Sequence, residues 1–221
     1  MSRRLVAGVI FDKVGNVLLE ANIKHNSFRI TPIGGKVEED KNEDPIDALK
    51  RECWEEYRLW VQPKDIIGTY GTTSKGEGAF SALMVHCEIT KITPGCWKDG
   101  KPIPQEPEKS AYADWFSLDE LNRLNAHKLL APNLSLFIEV LQDNFRQFAL
   151  RNMHAEIPKS MTLFQLFTYF KRQMDLCLRN YHEYRRKSSR DPFHLPDDFL
   201  MIHETPELAR SYFELCRAVS G

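Results

Sequence analysis

Glu52, Glu55 and Glu56 stand at i, i+3 and i+4 in the run Arg51-Glu52-Cys53-Trp54-Glu55-Glu56, and that spacing limits what the rest of the chain can be built around. On a helix the three carboxylates project from one face within reach of one another, and they repel unless cations are supplied. Local signals predict the helix on their own. Asp44 is a good N-cap, Pro45 suits the first helical position, and Asp47 complements the macrodipole in the first turn. Ile46, Leu49, Cys53 and Tyr57 recur at i, i+3, i+7 and i+11, an apolar stripe fit for a core. One helix therefore has a buried side and an acidic side.

Hard oxygen ligands on a fixed element suit magnesium or manganese, which keep several waters and bridge to substrate phosphates. A merely solvated acidic face would leave unexplained the glycine pair Gly34-Gly35 upstream and Arg51 beside the cluster.

At these residues the chain resembles the Nudix hydrolases. Their signature is a glycine, five residues, a glutamate, seven residues, then R-E-U-x-E-E-x-G-U, with U aliphatic. Seven residues separate Arg51 from Glu43, as that pattern requires, and Gly35-Lys36-Val37-Glu38 matches its start. Seven residues lie between Gly35 and Glu43 where the family has five, so the loop is two residues longer. Cys53 replaces the aliphatic residue and packs as a small hydrophobe. Arg58 stands where the family has glycine, in a position that commonly ends the helix in a left-handed conformation, so the helix is expected to end differently here.

The resemblance covers residues 1–148 and implies an α+β Nudix fold, a mixed β-sheet sandwiched between helices; beyond it, residues 149–221 read from their apolar periodicity as a helical C-terminal extension. It also implies a pyrophosphohydrolase that uses Mg2+, with Mn2+ as the other candidate. The metal ligands would be Glu52, Glu55, Glu56 and the Gly34 carbonyl. Glu52 and Glu56 would act in catalysis, with Arg51 orienting the cluster through Glu52 or Glu43. Lys36 falls near the phosphates. The proton acceptor for the attacking water is either Glu52 or a loop glutamate.

The 221 residues leave room for one domain of about 150 residues plus an appendage. A net charge of −1 and a pI near 6.7 give no global nucleic-acid footprint. Five scattered cysteines without C-x-x-C pairs read as reduced thiols, and no apolar run reaches membrane-spanning length, so a soluble cytoplasmic protein without a membrane partner is expected. The seven histidines show no zinc-like spacing, and no G-x-S-x-G elbow is present.

From its start the chain predicts a buried strand over 5–11, a turn at 12–16, a returning strand over 17–21 and a short strand over 28–33 that delivers the glycine pair. Further strands are predicted over 65–70, 79–89 and 113–116, with a Gly- and Pro-rich loop over 95–107. Ser117 and Glu120 form a capping box, and Pro132 opens a helix whose buried stripe is Leu134, Phe137, Ile138 and Leu141. Glu106 and Glu108, at the end of the loop, are candidates for the additional base or metal glutamate that many Nudix enzymes carry there. Asn133 stands where the nucleotide-sanitising branch places a base-binding asparagine, and Phe28 is a candidate for stacking on the base.

Leu163, Leu166, Phe167, Phe170, Met174, Cys177, Leu178 and Tyr181 fall on one helical stripe, and Thr205-Pro206-Glu207 opens a further helix after a linker near 188–197. The stripe is a packing surface and a candidate dimer face. Residues 151–190 hold nine Lys or Arg against three Asp or Glu, whereas 191–221 hold two against six. The basic stretch either pairs with its acidic neighbour or receives RNA. A modified nucleoside triphosphate is the expected substrate, ahead of nucleotide sugars, dinucleoside polyphosphates and capped mRNA. A Nudix-like module that binds nucleotide without cleaving it is the alternative of another class.

Overall fold

The apolar stripe of the predicted helix needs a surface to cover, and the strands provide it. A computed structural model describes residues 3–23, 28–74, 78–152, 161–172 and 175. Among the described residues up to 152, eight strands and three α-helices follow one another as β1 (Arg3–Ile10), β2 (Val17–Asn22), β3 (Arg29–Lys36), α1 (Pro45–Tyr57), β4 (Leu59–Ser74), β5 (Gly78–Ile92), β6 (Trp97–Lys98), β7 (Lys101–Pro102), β8 (Ser110–Phe116), α2 (Leu118–Ala126) and α3 (Pro132–Asn152). Six strands form one sheet in the order β4-β5-β1-β3-β2-β8, with β6 and β7 paired as a small hairpin inside the predicted loop. β1 runs parallel to β5 and antiparallel to β3, so the sheet is mixed.

Both faces of the sheet are covered. Val6, Ile10, Leu18, Ile33, Val85 and Cys87 join Leu49, Cys53 and Tyr57 of α1 in one buried cluster. Ala7, Val9, Leu19 and Met84 have the opposite parity and are buried outside that cluster, as period-two alternation requires. Across from Tyr70 of β4, Phe137 of α3 meets the ring edge-on at 5.5 Å. Leu134, Phe137, Ile138 and Leu141 are all buried, as the stripe from Pro132 predicts. Each such fully buried side chain contributes roughly 1.5–3 kcal/mol over its exposed state. The expected α+β arrangement is thus present, a mixed sheet between helices.

α1 is fixed at both ends. The Asp44 carboxylate accepts from the Ile46 N–H at 2.8 Å, and Pro45 is the first helical residue. The C-terminal end corrects the sequence expectation. Arg58 adopts the left-handed conformation itself, with φ +53°, and its N–H closes the helix on the Cys53 and Trp54 carbonyls. Its guanidinium lies 5.0 Å from the Trp54 ring centroid, and that cation–π contact offsets the backbone strain that glycine would avoid. The helix ends where a glycine would end it.

The strand over 65–70 is the other correction, since β4 runs sixteen residues and pairs with β5 along its length. Irregularities at Trp60/Val61, Pro63/Asp65 and Ile66/Gly68 let it absorb a proline and a glycine. Ser117 and Glu120 close the predicted capping box on α2, and α3 runs without a break through residues 148 and 149.

The chain divides into two compact units, Met1–Leu166 and Phe167–Gly221. In the first, Thr162 and Gln165 cap each other where a helix begins at Leu163, and the Phe164 ring meets Phe11 edge-on at 5.1 Å. In the second, Phe167 and Phe170 are buried. The rest of the predicted appendage, including the linker near 188–197, the helix from Thr205 and most of the basic stretch, lies outside the described residues. No helix among the described residues is long and apolar enough to cross a membrane.

Arg58→Gly exchanges left-handed strain of about 1–2 kcal/mol for a cation–π contact of about 0.5–1 kcal/mol. The two nearly cancel, so the denaturant midpoint of this variant should correspond to a stability within about 1 kcal/mol of the parent.

Candidate active site

The glycine pair, the acidic loop and α1 meet at one guanidinium. Arg51 Nε donates to Glu43 Oε1 at 2.8 Å and Nη2 to Glu43 Oε2 at 3.1 Å, a two-pronged pair. Nη1 donates to Glu52 Oε1 at 3.0 Å and to Glu55 Oε2 at 2.9 Å, and Nη2 also reaches the Lys36 carbonyl at 3.1 Å. Sequence reasoning left Glu43 and Glu52 as alternatives for Arg51. The guanidinium serves both, and Glu55 and Lys36 as well.

The lengthened loop does not disturb this arrangement. Residues Glu39–Lys41 form a single 3-10 turn ended by Asn42 in the left-handed region, φ +55°. The Glu38 N–H donates to Glu43 Oε2 at 3.0 Å, and the Glu43 N–H donates to the Glu38 carbonyl at 3.2 Å. The additional residues are accommodated in a side excursion, and Glu43 returns to Arg51.

The two glycines are required for different reasons. Gly34 has φ +154°, and a Cβ there would run into the Val6 carbonyl of β1. At Gly35 a Cβ would overlap the Glu52 carboxylate. Glu52 is thus seated directly against the backbone of the pair, with its side chain 14% exposed.

Glu56 is buried at 6% exposure, one residue before the end of α1. Its carbonyl accepts from the Gln105 N–H at 2.8 Å, which brings the predicted loop to the helix. Glu106 follows, with its carboxylate 2.6 Å from Lys109 Nζ, whereas Glu108 is exposed. The Lys36 side chain is exposed, and only its carbonyl takes part in the Arg51 network.

Among the described residues, no group of three or more His, Cys, Asp or Glu is arranged as a ready metal site. Arg51 instead lies between the carboxylates. The residues nevertheless fit a hard divalent cation by donor chemistry, with three carboxylates on one helix and one of them seated on a Cβ-free backbone. Cys53 and Cys87 are packing groups: burial pushes both thiols up, the latter to about 12.

Asn133 and Phe28 stand on two neighbouring segments. The Ile30 N–H donates to the Leu129 carbonyl at 2.8 Å and the Ala131 N–H donates back to Ile30 at 2.9 Å, which sets the start of β3 beside the start of α3. Phe28 is 40% exposed at that edge, and Asn133 is 6% exposed as the second residue of α3. Sequence reasoning missed Glu20, Ser110 and Lys109, and read Tyr57 only as apolar. The one linear signal for Glu20 is a charge inside the strand Val17–Asn22.

A family model described as the NUDIX domain matches residues 1–137, more than half of the chain. No curated protein matches the chain. Among solved structures, a NUDIX hydrolase from Nitrosomonas europaea is similar at 21% identity and a TM-score of 0.52, covering 67% of this chain and 90% of that one. The MutT protein from Methanosarcina mazei Go1 is similar at 21% identity and a TM-score of 0.48, covering 69% and 96%. An ADP-ribose pyrophosphatase from Streptococcus suis is similar at 15% identity and a TM-score of 0.38, covering 54% and 76%.

The hydrogen bonds from Arg51 hold the Glu43 carboxyl at about 2, against an ordinary value of 4.5. A group depressed on folding contributes stability that is complete above its unfolded value and lost as pH falls through its folded value. The parent should therefore lose stability between pH 4.5 and about 2, and Glu43→Gln should flatten that part of a plot of denaturant midpoint against pH. With its motif residues gathered around one arginine and its domain matched over residues 1–137, the chain belongs to the Nudix family of hydrolases.

Proposed function

We propose that this protein hydrolyses a diphosphate linkage in a nucleoside di- or triphosphate derivative with the aid of magnesium. A modified nucleoside triphosphate, cleaved to monophosphate and pyrophosphate, is the substrate proposed. The observation that carries the reading is the Arg51 network, which holds Glu52 and Glu55 beside Glu43 on the helix that also carries Glu56, with Glu52 seated against Gly35.

Glu52, Glu55, Glu56 and the Gly34 carbonyl would hold Mg2+, or Mn2+ in its place. Bound there, the cation supplies charge neutralisation for the diphosphate and a lowered pKa for a bound water. The residues of the chain do the rest. Glu52, held by Arg51 against the glycine pair, would accept the proton of the attacking water. Glu106 or Glu108 is the loop alternative, and Glu106 directly follows Gln105, whose N–H meets the Glu56 carbonyl. Lys36 directly follows the glycine pair and supplies a point charge for phosphate.

Asn133 supports a nucleobase as the other half of the substrate. It is nearly buried at the start of α3, and a planar amide that both donates and accepts reads the edge of a base. Phe28, exposed at the neighbouring strand start, offers a face for stacking.

The test is product analysis with magnesium against canonical and oxidised nucleoside triphosphates, nucleotide sugars, dinucleoside polyphosphates and capped RNA. Monophosphate and pyrophosphate from one triphosphate are expected. Glu56→Gln should lower turnover by on the order of 100-fold or more with unfolding unchanged, as loss of a metal ligand predicts. Gly35→Ala, which displaces the Glu52 carboxylate, should lower kcat while the protein still folds. Preferred cleavage of capped RNA would move the assignment to that substrate and give the basic stretch 151–190 a role. Nucleotide binding without any cleavage would make the domain a binding module.

A further inference from the structure

Glu20 is a carboxylate inside the fold, 2% exposed, on a strand that otherwise carries the core. The Tyr57 hydroxyl donates to its Oε2 at 2.7 Å, and Asn22 Nδ2 donates to its Oε1 at 3.2 Å. Ser110 Oγ lies 2.6 Å from the same phenol oxygen, and its hydroxyl is also 3.4 Å from the Tyr112 carbonyl that it can donate to. The strands set these groups side by side, because Glu20 pairs with Ala113 and Asn22 with Ser110 across β2 and β8.

Packing alone does not account for this arrangement. An aliphatic residue at position 20 would fill the space against the Tyr57 ring without burying a carboxylate beneath an already acidic helix. Apolar packing fixes which face of the helix is buried but is non-directional and gives no atom-to-atom link to a particular neighbouring segment. A buried phenol bonded to two partners gives that link. Tyr57 is the last residue of α1, directly after Glu56, whose carbonyl accepts from Gln105. The last turn is thereby fastened to the 105–110 segment twice, through backbone at Gln105 and through a side chain at Ser110. That segment carries the Glu106–Lys109 ion pair, and Glu56 and Glu108 add to the pull of Glu106 that raises the Lys109 pKa.

We propose that Tyr57, held by Glu20 and Ser110, is a positioning residue that locks Glu56 and the 105–110 segment into one geometry. The lock rests on the hydrolase reading above. It makes the spacing between the α1 carboxylates and the Glu106–Lys109 pair independent of substrate.

Tyr57→Phe keeps the ring and removes both hydrogen bonds. Its kcat should fall at least tenfold with KM within about twofold of the parent, and amide exchange at Gln105 and Ser110 should quicken while the first half of α1 and β1 keep their protection. Glu20→Gln, which still accepts from the phenol, should retain about tenfold more activity than Glu20→Leu, which cannot. If Tyr57→Phe does not fold, Ser110→Ala is read by the same two measurements. Unchanged kcat with unchanged protection at Gln105 overturns the proposal. So does a loss of protection spread evenly over the fold, which would make Tyr57 a packing residue. If the parent cleaves no nucleotide, the hydrolase reading fails, and the exchange pattern alone still decides whether the lock exists.

Discussion

A single guanidinium makes the acidic face of α1 tolerable. Three glutamates at i, i+3 and i+4, with a fourth from the loop, would repel one another if left alone. Arg51 meets three of these four carboxylates and a backbone carbonyl, from a side chain that is 26% exposed and therefore only partly screened by water. The same contacts tie the end of β3, the acidic loop and the helix into one unit. Charge compensation and chain geometry are here one interaction, which explains why arginine rather than lysine suits the position: a planar fork can serve several oxygens in fixed directions.

Around that centre, helix α1 is located by constraints of three kinds. Its N-terminus is set by a cap, its inner face by burial of Leu49, Cys53 and Tyr57, and its outer face by charge. The glycine pair completes the arrangement from the sheet side. Gly34 lets β3 lie close to β1, and Gly35 gives the Glu52 carboxylate a place that any side chain would occupy. Removing a methyl group's worth of volume at each site is what allows a strand and a carboxylate to share the same small space.

Features governed by local rules were legible in the sequence. The Asp44 cap, the proline at the first turn, the Ser117–Glu120 box and the stripe from Pro132 each depend on residues within one or two helical turns, and each is realised. β4 was legible only in part, because Pro63 and Gly68 interrupt its pattern and the pairing with β5 that sustains it is a property of the partner strand. Arg58 was misjudged for a similar reason: the strain is local to its backbone, but the compensation comes from the Trp54 ring. Partners for Arg51 could be narrowed to two by spacing, yet the Lys36 carbonyl fifteen residues away gives no linear sign. Tyr57 shows the limit most clearly. Its place in the apolar stripe was correct, and its hydroxyl found partners 37 and 53 residues distant, on strands whose register no local pattern records.

The excursion at residues 39–42 closes on itself, with both of its ends bonded between Glu38 and Glu43. Its length is thereby uncoupled from the position of everything that follows. Loop closure weakens only slowly with added residues, so the neck, not the count of residues beyond it, decides whether Glu43 arrives in place. This makes the tip of the excursion a permissive point for insertion, where a reporter peptide or a fluorophore could be carried a short way from the acidic face without displacing a single ligand of Arg51.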